Sequence, residues 1–193
     1  MSDGRDYLLD TNMLGFIAAV NSGSIQPREQ LVAQRIAHIR ETTNRKLFIS
    51  AITQGECEYG LLIATQPNTK RHQDARAVVD AFLPGTVLPV DGNVAKAHYA
   101  FLRASLFARY APKNKRGLAK KEFIGEWVEP TTQKELGIQE NDLWIAAIAL
   151  AYNLTLVTDD KMERIRSVAP GLAVENWLVA ENCILPVTLY KKT

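Results

Sequence analysis

The chain has 193 residues, and 47% of them are hydrophobic, which suits one globular domain with a substantial core. Its formal net charge of +2 is too small to indicate nucleic-acid binding by itself. The opening MSDGRDYLLD lacks a basic region followed by an apolar run, and no apolar run reaches the length of a membrane span, so a cytoplasmic protein is expected.

Short, mostly apolar segments alternate with longer amphipathic segments along the chain. The short segments predict strands at residues 7–9, 46–49, 86–90, 155–157 and 172–174. The longer segments predict helices at residues 27–40, 53–64, 69–82, 93–109 and 142–152. This alternation is typical of an α/β sandwich in which helices cover both faces of a parallel sheet.

Two of the predicted helices differ in the surface that they offer. In the helix at residues 27–40 the apolar side chains lie near one face, and Arg35, His38 and Arg40 are expected to face solvent. The helix at residues 142–152 is apolar nearly all round, which indicates a buried helix.

Four phrases, far apart in the sequence, each place a carboxylate at the end or in the first turns of a predicted element. They are LLDTN with Asp10, ISAITQGECEYG with Glu56, NDLWIAAIAL with Asp142, and LVTDD with Asp159 and Asp160. If the fold brings these carboxylates together, their like charges must take up protons or hold a cation. A cluster of hard oxygen ligands points to Mg²⁺ or Mn²⁺, and such a site suits metal-assisted hydrolysis of a phosphodiester.

The first two acidic residues also have ordinary structural interpretations. Asp10 follows a strand and is placed to cap the next helix. Glu56 comes three residues after Thr53, which is the spacing of a capping box, whereas Glu58 is expected to point away from the face of Glu56. Phosphatases that use an aspartyl nucleophile carry Asp-x-Asp after the first strand, and Asn12 in the second position counts against that chemistry.

The last two phrases leave similar alternatives. Asn141 or Asp142 is suited to cap the apolar helix that follows. An ionised carboxylate entering a buried helix is costly unless it is paired or bound to a metal, which favours a site role for Asp142. In the turn after the strand at residues 155–157, Asp160 is preferred over Asp159 as the site residue, and the other would be a solvent-facing turn residue.

Taken in order, these phrases resemble PIN-domain ribonucleases, and more narrowly VapC-type toxins. A hydrophobic strand ends in Asp-Thr-Asn and is followed by Ile-Ser-x-x-Thr-x-x-Glu-x-x-Tyr-Gly, Asn-Asp-x-x-Ile-Ala-Ala, a strand ending in Val-Thr-x-Asp, and Val-Glu-Asn-Trp. The resemblance covers residues 7–177 apart from one inserted segment. It implies a PIN-like three-layer α/β sandwich with a central parallel sheet of about five strands.

The resemblance also implies a Mg²⁺-dependent endoribonuclease, with Mn²⁺ as a possible substitute. Asp10 and Asp142 would be the principal metal ligands, and Glu56 and Asp160 would complete the acidic pocket, some of them through metal-bound waters. Asp159 is the alternative to Asp160. The polar neighbours available for hydrogen bonds to these acids are Thr11, Asn12, Asn141 and Thr158.

The implied partners are RNA, a cognate antitoxin whose peptide fills the active-site groove, and a second copy of the chain in a homodimer. Two other functions fit the same resemblance. One is a PIN-domain nuclease of RNA processing, which would lack a neighbouring antitoxin gene. The other is a non-catalytic PIN-like RNA-binding module, which would be expected to have a broken acidic set, whereas this set is intact.

The predicted organisation is a single PIN-like domain over residues 1–193, with an insertion at about 112–139 and a C-terminal extension at about 183–193. Long loops in compact domains are usually functional or disordered. Because an acidic pocket repels phosphates, cations at its rim must attract RNA, although a solvated charged loop is an equally good interpretation of this segment. The first part of the insertion carries the basic residues Lys113, Lys115, Arg116, Lys120 and Lys121.

The cysteines and histidines do not suggest a second kind of site. Cys57 and Cys183 have no metal-binding spacing and are expected to be small buried hydrophobic residues. His38, His72 and His98 fall on separate predicted helices away from the acidic phrases, so they are expected at the surface or at its boundary.

Overall fold

A parallel sheet forms the centre of the fold. The computed structural model describes residues 4–66, 69–82, 85–111 and 124–179. Its strands are β1 (Tyr7–Leu9), β2 (Leu47–Ser50), β3 (Val87–Leu88), β4 (Thr155–Val157) and β5 (Ala173–Glu175). They are ordered β3-β2-β1-β4-β5 and every neighbouring pair is parallel. The predicted five-stranded parallel sheet is therefore confirmed.

Strand β1 occupies the middle of this sheet. Leu8 pairs with Phe48 of β2 on one side and with Leu156 of β4 on the other. Every residue of β1 and of β4 is buried, which explains why both strands read as apolar runs in the sequence. The carboxyl ends of β1 and β4 therefore lie side by side, at the edge where open α/β sheets bind ligands.

Within the described residues, seven α-helices connect and cover the strands. They are α1 (Thr11–Asn21), α2 (Pro27–Thr42), α3 (Ala51–Leu62), α4 (Lys70–Asp80), α5 (Ala100–Tyr110), α6 (Glu140–Ala151) and α7 (Glu163–Val168). A π-helix (Val94–Tyr99) runs directly into α5, and a 3₁₀ helix spans Ile124–Glu126. No helix in the described part of the chain is long and apolar enough to cross a membrane.

Helices α1 and α7 are additions to the elements predicted from the sequence. Helix α1 contains Gly15 and several branched residues, which lower its helix propensity, and it is stabilised by burial of Met13 and Leu14. Helix α7 has only 6 residues, too few to display a helical period clearly.

The two faces of the sheet pack into separate hydrophobic clusters. Successive side chains of a strand point to opposite faces, so Leu8 packs with residues of α5 and α6, whereas Tyr7 and Leu9 pack with residues of α1 and α2 and with Trp177. Burying one such side chain contributes about 1.5–3 kcal/mol to folding. Helices on both faces confirm the three-layer α/β sandwich, and the burial of residues 145–149 confirms that α6 is a buried helix.

One expectation about α2 is wrong. Arg40 is exposed, as predicted, and His38 lies at the surface boundary, but the Arg35 side chain is only 13% exposed. Its Nη2 lies 3.6 Å from Oε2 of Glu175 on β5, and the same carboxylate oxygen accepts a 2.9 Å hydrogen bond from Trp177 Nε1. Helical periodicity could not reveal this, because the partner of Arg35 is a carboxylate that lies far away in the sequence.

The described half of the inserted segment is folded onto the core. Ile124, Trp127 and Leu136 are buried at 2%, 3% and 5% exposure. An antiparallel bridge between Val128 and Glu135 closes the turn between them. The basic residues in the first part of the insertion (Lys113, Lys115, Arg116, Lys120 and Lys121) lie outside the described residues. The C-terminal extension at 183–193, with Cys183, also lies outside them.

Candidate active site

Asp10 lies directly after β1 and is held by two hydrogen bonds. Its Oδ1 accepts from the Thr11 amide at 2.7 Å, which makes Asp10 the N-cap of α1. Its Oδ2 accepts from the Thr158 hydroxyl at 2.7 Å, across the ends of β1 and β4. The side chain is buried, so the cap and the position at the sheet edge belong to the same residue. Asp10 is therefore an N-cap, and this capping role is compatible with a role of the same carboxylate in the site.

Glu56 bridges the first turns of two other helices. Its Oε2 accepts from the Thr11 hydroxyl, and its Oε1 accepts from Asn141 Nδ2 at 2.6 Å. The proposed capping box with Thr53 is wrong, because the N-cap of α3 is Ser50, whose Oγ accepts from the Thr53 amide at 2.9 Å. The Glu56 carboxylate is thus directed toward α1 and α6 and not back along its own helix.

Glu58 points elsewhere, as expected from its position on α3. Its carboxylate forms an ion pair with Arg76 on α4. This pair links α3 to α4, whereas Glu56 contacts Thr11 on α1 and Asn141 on α6. Glu58 is therefore not part of the acidic site.

Asp142 enters the site from the first turn of α6. Its Oδ2 accepts from the Gln139 amide at 3.2 Å, and Gln139 is the N-cap, so the alternative in which Asn141 or Asp142 would itself be the cap is wrong. Burial, together with repulsion from Asp10, Asp160 and Glu56, raises the pKa of Asp142 to about 6, against the lowering effect of the Gln139 hydrogen bond. Its charged form is accordingly disfavoured when no cation is present.

Asp159 lies beside Asp10. Its Oδ1 accepts from Asn12 Nδ2 at 2.9 Å, which joins the turn after β4 to the first turn of α1. Its negative charge is one of those that raise the pKa of Asp10. Asp159 is therefore near the acidic group that follows β1.

Asp160 lies on the side of Asp142. Its amide donates to Thr158 Oγ1 at 3.1 Å, and its Oδ1 accepts from the Met162 amide at 2.9 Å, which forms a local turn. Its charge raises the pKa of Asp142. The two aspartates of the LVTDD phrase thus act on different members of the cluster, and the preference for Asp160 as a metal ligand stays a prediction.

The electrostatics of these acids fit a bound divalent cation. Burial raises the pKa of Asp10, hydrogen bonds from Thr158 and Thr11 lower it, and repulsion from Glu56 and Asp159 raises it. In the described part of the chain, no three His, Cys, Asp or Glu side chains are already arranged around one metal position. Mg²⁺ usually binds one or two carboxylates and keeps several waters, so Asp10 and Asp142 suit it as direct ligands with water between the ion and the other acids.

The inserted segment reaches this site. Residues 136–138 line a small cavity of about 60 Å³ together with Asp142, Asp160 and residues 162–165. Within the segment, Gly125 packs so closely on Ile138 that an added Cβ would lie 2.8 Å from the Ile138 carbonyl oxygen. From the sequence, a role was predicted only for the basic part of the insertion. The part of the cavity wall formed by residues 136–138 was missed, because a contact between backbone segments leaves no side-chain motif in the sequence.

The histidines and the described cysteine lie outside the acidic chemistry. His38, His72 and His98 are half-buried on α2, α4 and the π-helix, which confirms their boundary positions. Burial raises the pKa of Cys57 to about 11, and the charges of Glu56 and Asp10 add to the effect. The thiol therefore stays protonated, which makes it unsuited to act as a nucleophile.

Comparison with known proteins identifies the fold family. No family model matches the chain. Ribonuclease VapC2 from Rickettsia felis is 28% identical over 171 residues, which are 89% of this chain and 97% of the relative. The structure of Rickettsia felis VapBC2 bound to a promoter DNA fragment contains a chain with a TM-score of 0.55 and 25% identity, over 89% of this chain and 98% of that one. FitAcB from Neisseria gonorrhoeae gives a TM-score of 0.57 and 25% identity, over 89% and 97% of the two chains.

The chain is similar to VapC-type ribonucleases along most of its length. The likeness covers 89% of this chain and nearly all of each relative, so it extends well beyond the acidic phrases. The resemblance inferred from the order of those phrases is thereby confirmed. Among the residues that position the candidate site, Ser50 had a usable signal, since a serine directly before a helix is a preferred N-cap.

Proposed function

We propose that this chain is a divalent-metal-dependent endoribonuclease and the toxin of a VapBC-type toxin–antitoxin module. The observation that carries the proposal is the position of Glu56, whose carboxylate contacts Thr11 beside Asp10 and Asn141 beside Asp142. Three of the four acidic phrases are linked through this one side chain. The likeness to Ribonuclease VapC2 along 97% of its length supports RNA as the substrate.

In this proposal Asp10 and Asp142 hold Mg²⁺ or Mn²⁺ directly, while Glu56 and Asp160 act through coordinated waters, with Asp159 as the alternative to Asp160. A bound divalent ion would lower the pKa of a coordinated water and stabilise negative charge on the leaving oxygen. The polar neighbours that orient these carboxylates are Thr11, Asn12, Asn141 and Thr158.

The protein's own side chains restrict how the carboxylates can move. Hydrogen bonds from the Thr11 amide and the Thr158 hydroxyl fix both oxygens of Asp10, leaving a lone pair of each oxygen for another partner. Asn141 and the Thr11 hydroxyl hold Glu56 between α1 and α6. Such fixed donors keep the site organised before substrate binds, which reduces reorganisation during the reaction.

The proposed partners are a cognate antitoxin and a second copy of the chain, in the cytoplasm where its RNA substrate is found. Structures of VapBC2 and FitAcB contain chains similar to this one. A groove lined by Ala51, Ile52, Gly55, Glu56, Tyr59 and Asn141 runs beside the acidic site. Its apolar walls and the 65% exposure of Tyr59 suit an antitoxin peptide that covers the site.

The proposal is tested with Asp10→Asn. Purified wild-type protein should cleave RNA in Mg²⁺ and stop when a chelator removes the metal, whereas Asp10→Asn should lose at least about 100-fold of the rate. Asp91→Asn is a matched control, since Asp91 also caps a helical segment by accepting a 2.8 Å hydrogen bond from the Val94 amide. Its other partner is Tyr152, which lies beyond the far end of α6. A folded Asp10→Asn variant that cleaves at the wild-type rate would refute the mechanism.

A further inference from the structure

A cluster of four side chains joins the π-helix and α5 to the first turn of α6. Tyr99 and Arg103 are four residues apart, and so are Glu140 and Trp144, so each pair lies on one face of its helix. The Tyr99 and Trp144 rings stack with centroids 3.6 Å apart and planes 4° from parallel. This stack places the tyrosine hydroxyl next to the beginning of α6.

The polar half of the cluster is a closed set of hydrogen bonds. Arg103 Nη1 lies 2.6 Å from each Glu140 carboxylate oxygen and 3.0 Å from the Tyr99 hydroxyl oxygen. The Tyr99 hydroxyl donates to Glu140 Oε1. Burial raises the pKa of Tyr99, and its hydrogen bond to Glu140 raises it further, so the hydroxyl keeps its proton and remains a donor.

Glu140 is the first residue of α6, and the next two residues belong to the acidic site. Asn141 donates to Glu56 at 2.6 Å, and burial and nearby charge raise the pKa of Asp142. The first turn of a helix has unsatisfied amides and frays easily. Here the turn is fixed from outside by Arg103 and Tyr99. The Tyr99–Arg103–Glu140 clamp therefore holds α6 at the residue directly before Asn141 and Asp142.

We propose that Tyr99 and Arg103 are positioning residues for the acidic site, acting through Glu140 on Asn141 and Asp142. The inference rests on the proposed metal-dependent function. Residues that hold metal ligands in place typically contribute 10- to 100-fold to metal affinity. A π-helical turn is rare and is often found at functional sites, which agrees with a role for Val94–Tyr99 beyond packing.

The sign of the change in metal affinity separates positioning from simple electrostatics. Arg103→Gln removes a positive charge near a cation site, so electrostatics alone would tighten Mg²⁺ binding. Loss of positioning would instead weaken it, by roughly tenfold. Tyr99→Phe keeps the ring stack and changes no charge, and it should also weaken Mg²⁺ binding. Titration calorimetry of the full chain with Mg²⁺ and no RNA measures both variants.

Arg76→Gln is the matched control. The Arg76–Glu58 pair joins α3 to α4, and its side chains are 36% and 38% exposed, against 32% and 38% for Arg103 and Glu140. This control should bind Mg²⁺ as tightly as wild-type protein. Amide hydrogen exchange should accelerate at residues 140–143 in the Arg103 and Tyr99 variants and remain unchanged there in the control.

Activity completes the test. At saturating Mg²⁺ the Arg103→Gln and Tyr99→Phe variants should regain most of their turnover with an unchanged KM for RNA. Mg²⁺ binding equal to or tighter than wild type in both variants would overturn the inference. Wild-type protein that binds Mg²⁺ but cleaves no RNA would refute the nuclease, while weaker binding in the two variants would still support the clamp.

Discussion

The Thr158 hydroxyl donates a 2.7 Å hydrogen bond to Asp10 Oδ2, and both residues are buried. The same hydroxyl oxygen accepts from the Asp160 amide at 3.1 Å. One side chain at the end of β4 therefore connects the carboxylate after β1 to the turn that carries the last acidic phrase. A buried carboxylate that keeps such a donor is less costly than one left without it.

Thr158→Val should destabilise the protein. The substitution nearly conserves shape but removes the donor to Asp10, and losing a partner of a buried group costs about 1–3 kcal/mol. Urea unfolding at pH 7 without metal measures this cost. Thr155→Val, in a buried position at the start of β4, is the control and should cost less. Equal losses in both variants would show that the Thr158–Asp10 hydrogen bond adds nothing to stability.

The stability of the metal-free protein should depend on the titration of Asp142. Its pKa is 3.8 in the reference state and about 6 in the fold, so the folded state binds this proton more tightly. The stabilising contribution is therefore present below about pH 4 and is lost as pH rises through about 6. The Tm of Asp142→Asn, relative to wild type in chelator, should rise between these pH values. A Tm difference that does not change with pH would contradict this assignment.

Overproduction of the wild-type chain should slow bacterial growth, and Asp10→Asn should not. The physical reason is that arrest requires RNA cleavage and cleavage requires the intact acidic site. Asp91→Asn should arrest growth as strongly as the wild type. Arrest by Asp10→Asn would separate toxicity from nuclease activity, and absence of arrest by the wild type would favour a nuclease of RNA processing. A small antitoxin gene beside the toxin gene, whose product restores growth, would identify the module.

Replacing Lys113, Lys115 and Arg116 with Ala should weaken binding of uncleavable RNA without slowing turnover at saturation. Each phosphate contact releases counterions and contributes about −0.7 to the slope of log affinity against log salt for single strands. The triple variant should therefore have a flatter salt dependence. Arg40 and Lys46, exposed near the amino end of β2, serve as the control pair. An unchanged slope would indicate a solvated loop or a surface for a protein partner.

The parts of the fold that follow from local pattern were predictable from the sequence. Strands β1 and β4 are buried on both faces, and each was predicted with the bounds that it has in the structure. Strand β3 spans only Val87–Leu88, shorter than the predicted 86–90. Its length is limited by the two residues of β2 with which it pairs, Ile49 and Ser50, and not by the length of the apolar run. The order of the acidic phrases was enough to indicate the resemblance to VapC-type proteins that the comparisons confirm.

Side-chain direction at the site was much less predictable. Glu56 has the spacing of a capping residue, yet its partners are Thr11 and Asn141, which lie 45 and 85 residues away. Arg103 and Glu140 form an ion pair across 37 residues. Such contacts depend on how helices pack, and a local pattern carries no record of them. The metal-binding roles of the acidic residues remain predictions that the variants above can test.

The central place of β1 has a consequence for synthesis of the protein. This strand is made first, but its partner β4 and the Thr158 hydroxyl that holds Asp10 come 148 residues later. At typical rates of translation, roughly 7–30 s separate the two. For most of that interval the nascent chain lacks α6, β4 and the last two acidic phrases. Under the proposed function, the growing chain therefore has no complete acidic cluster near the ribosome that makes it, and its capacity to cleave RNA begins only when most of its message has been translated.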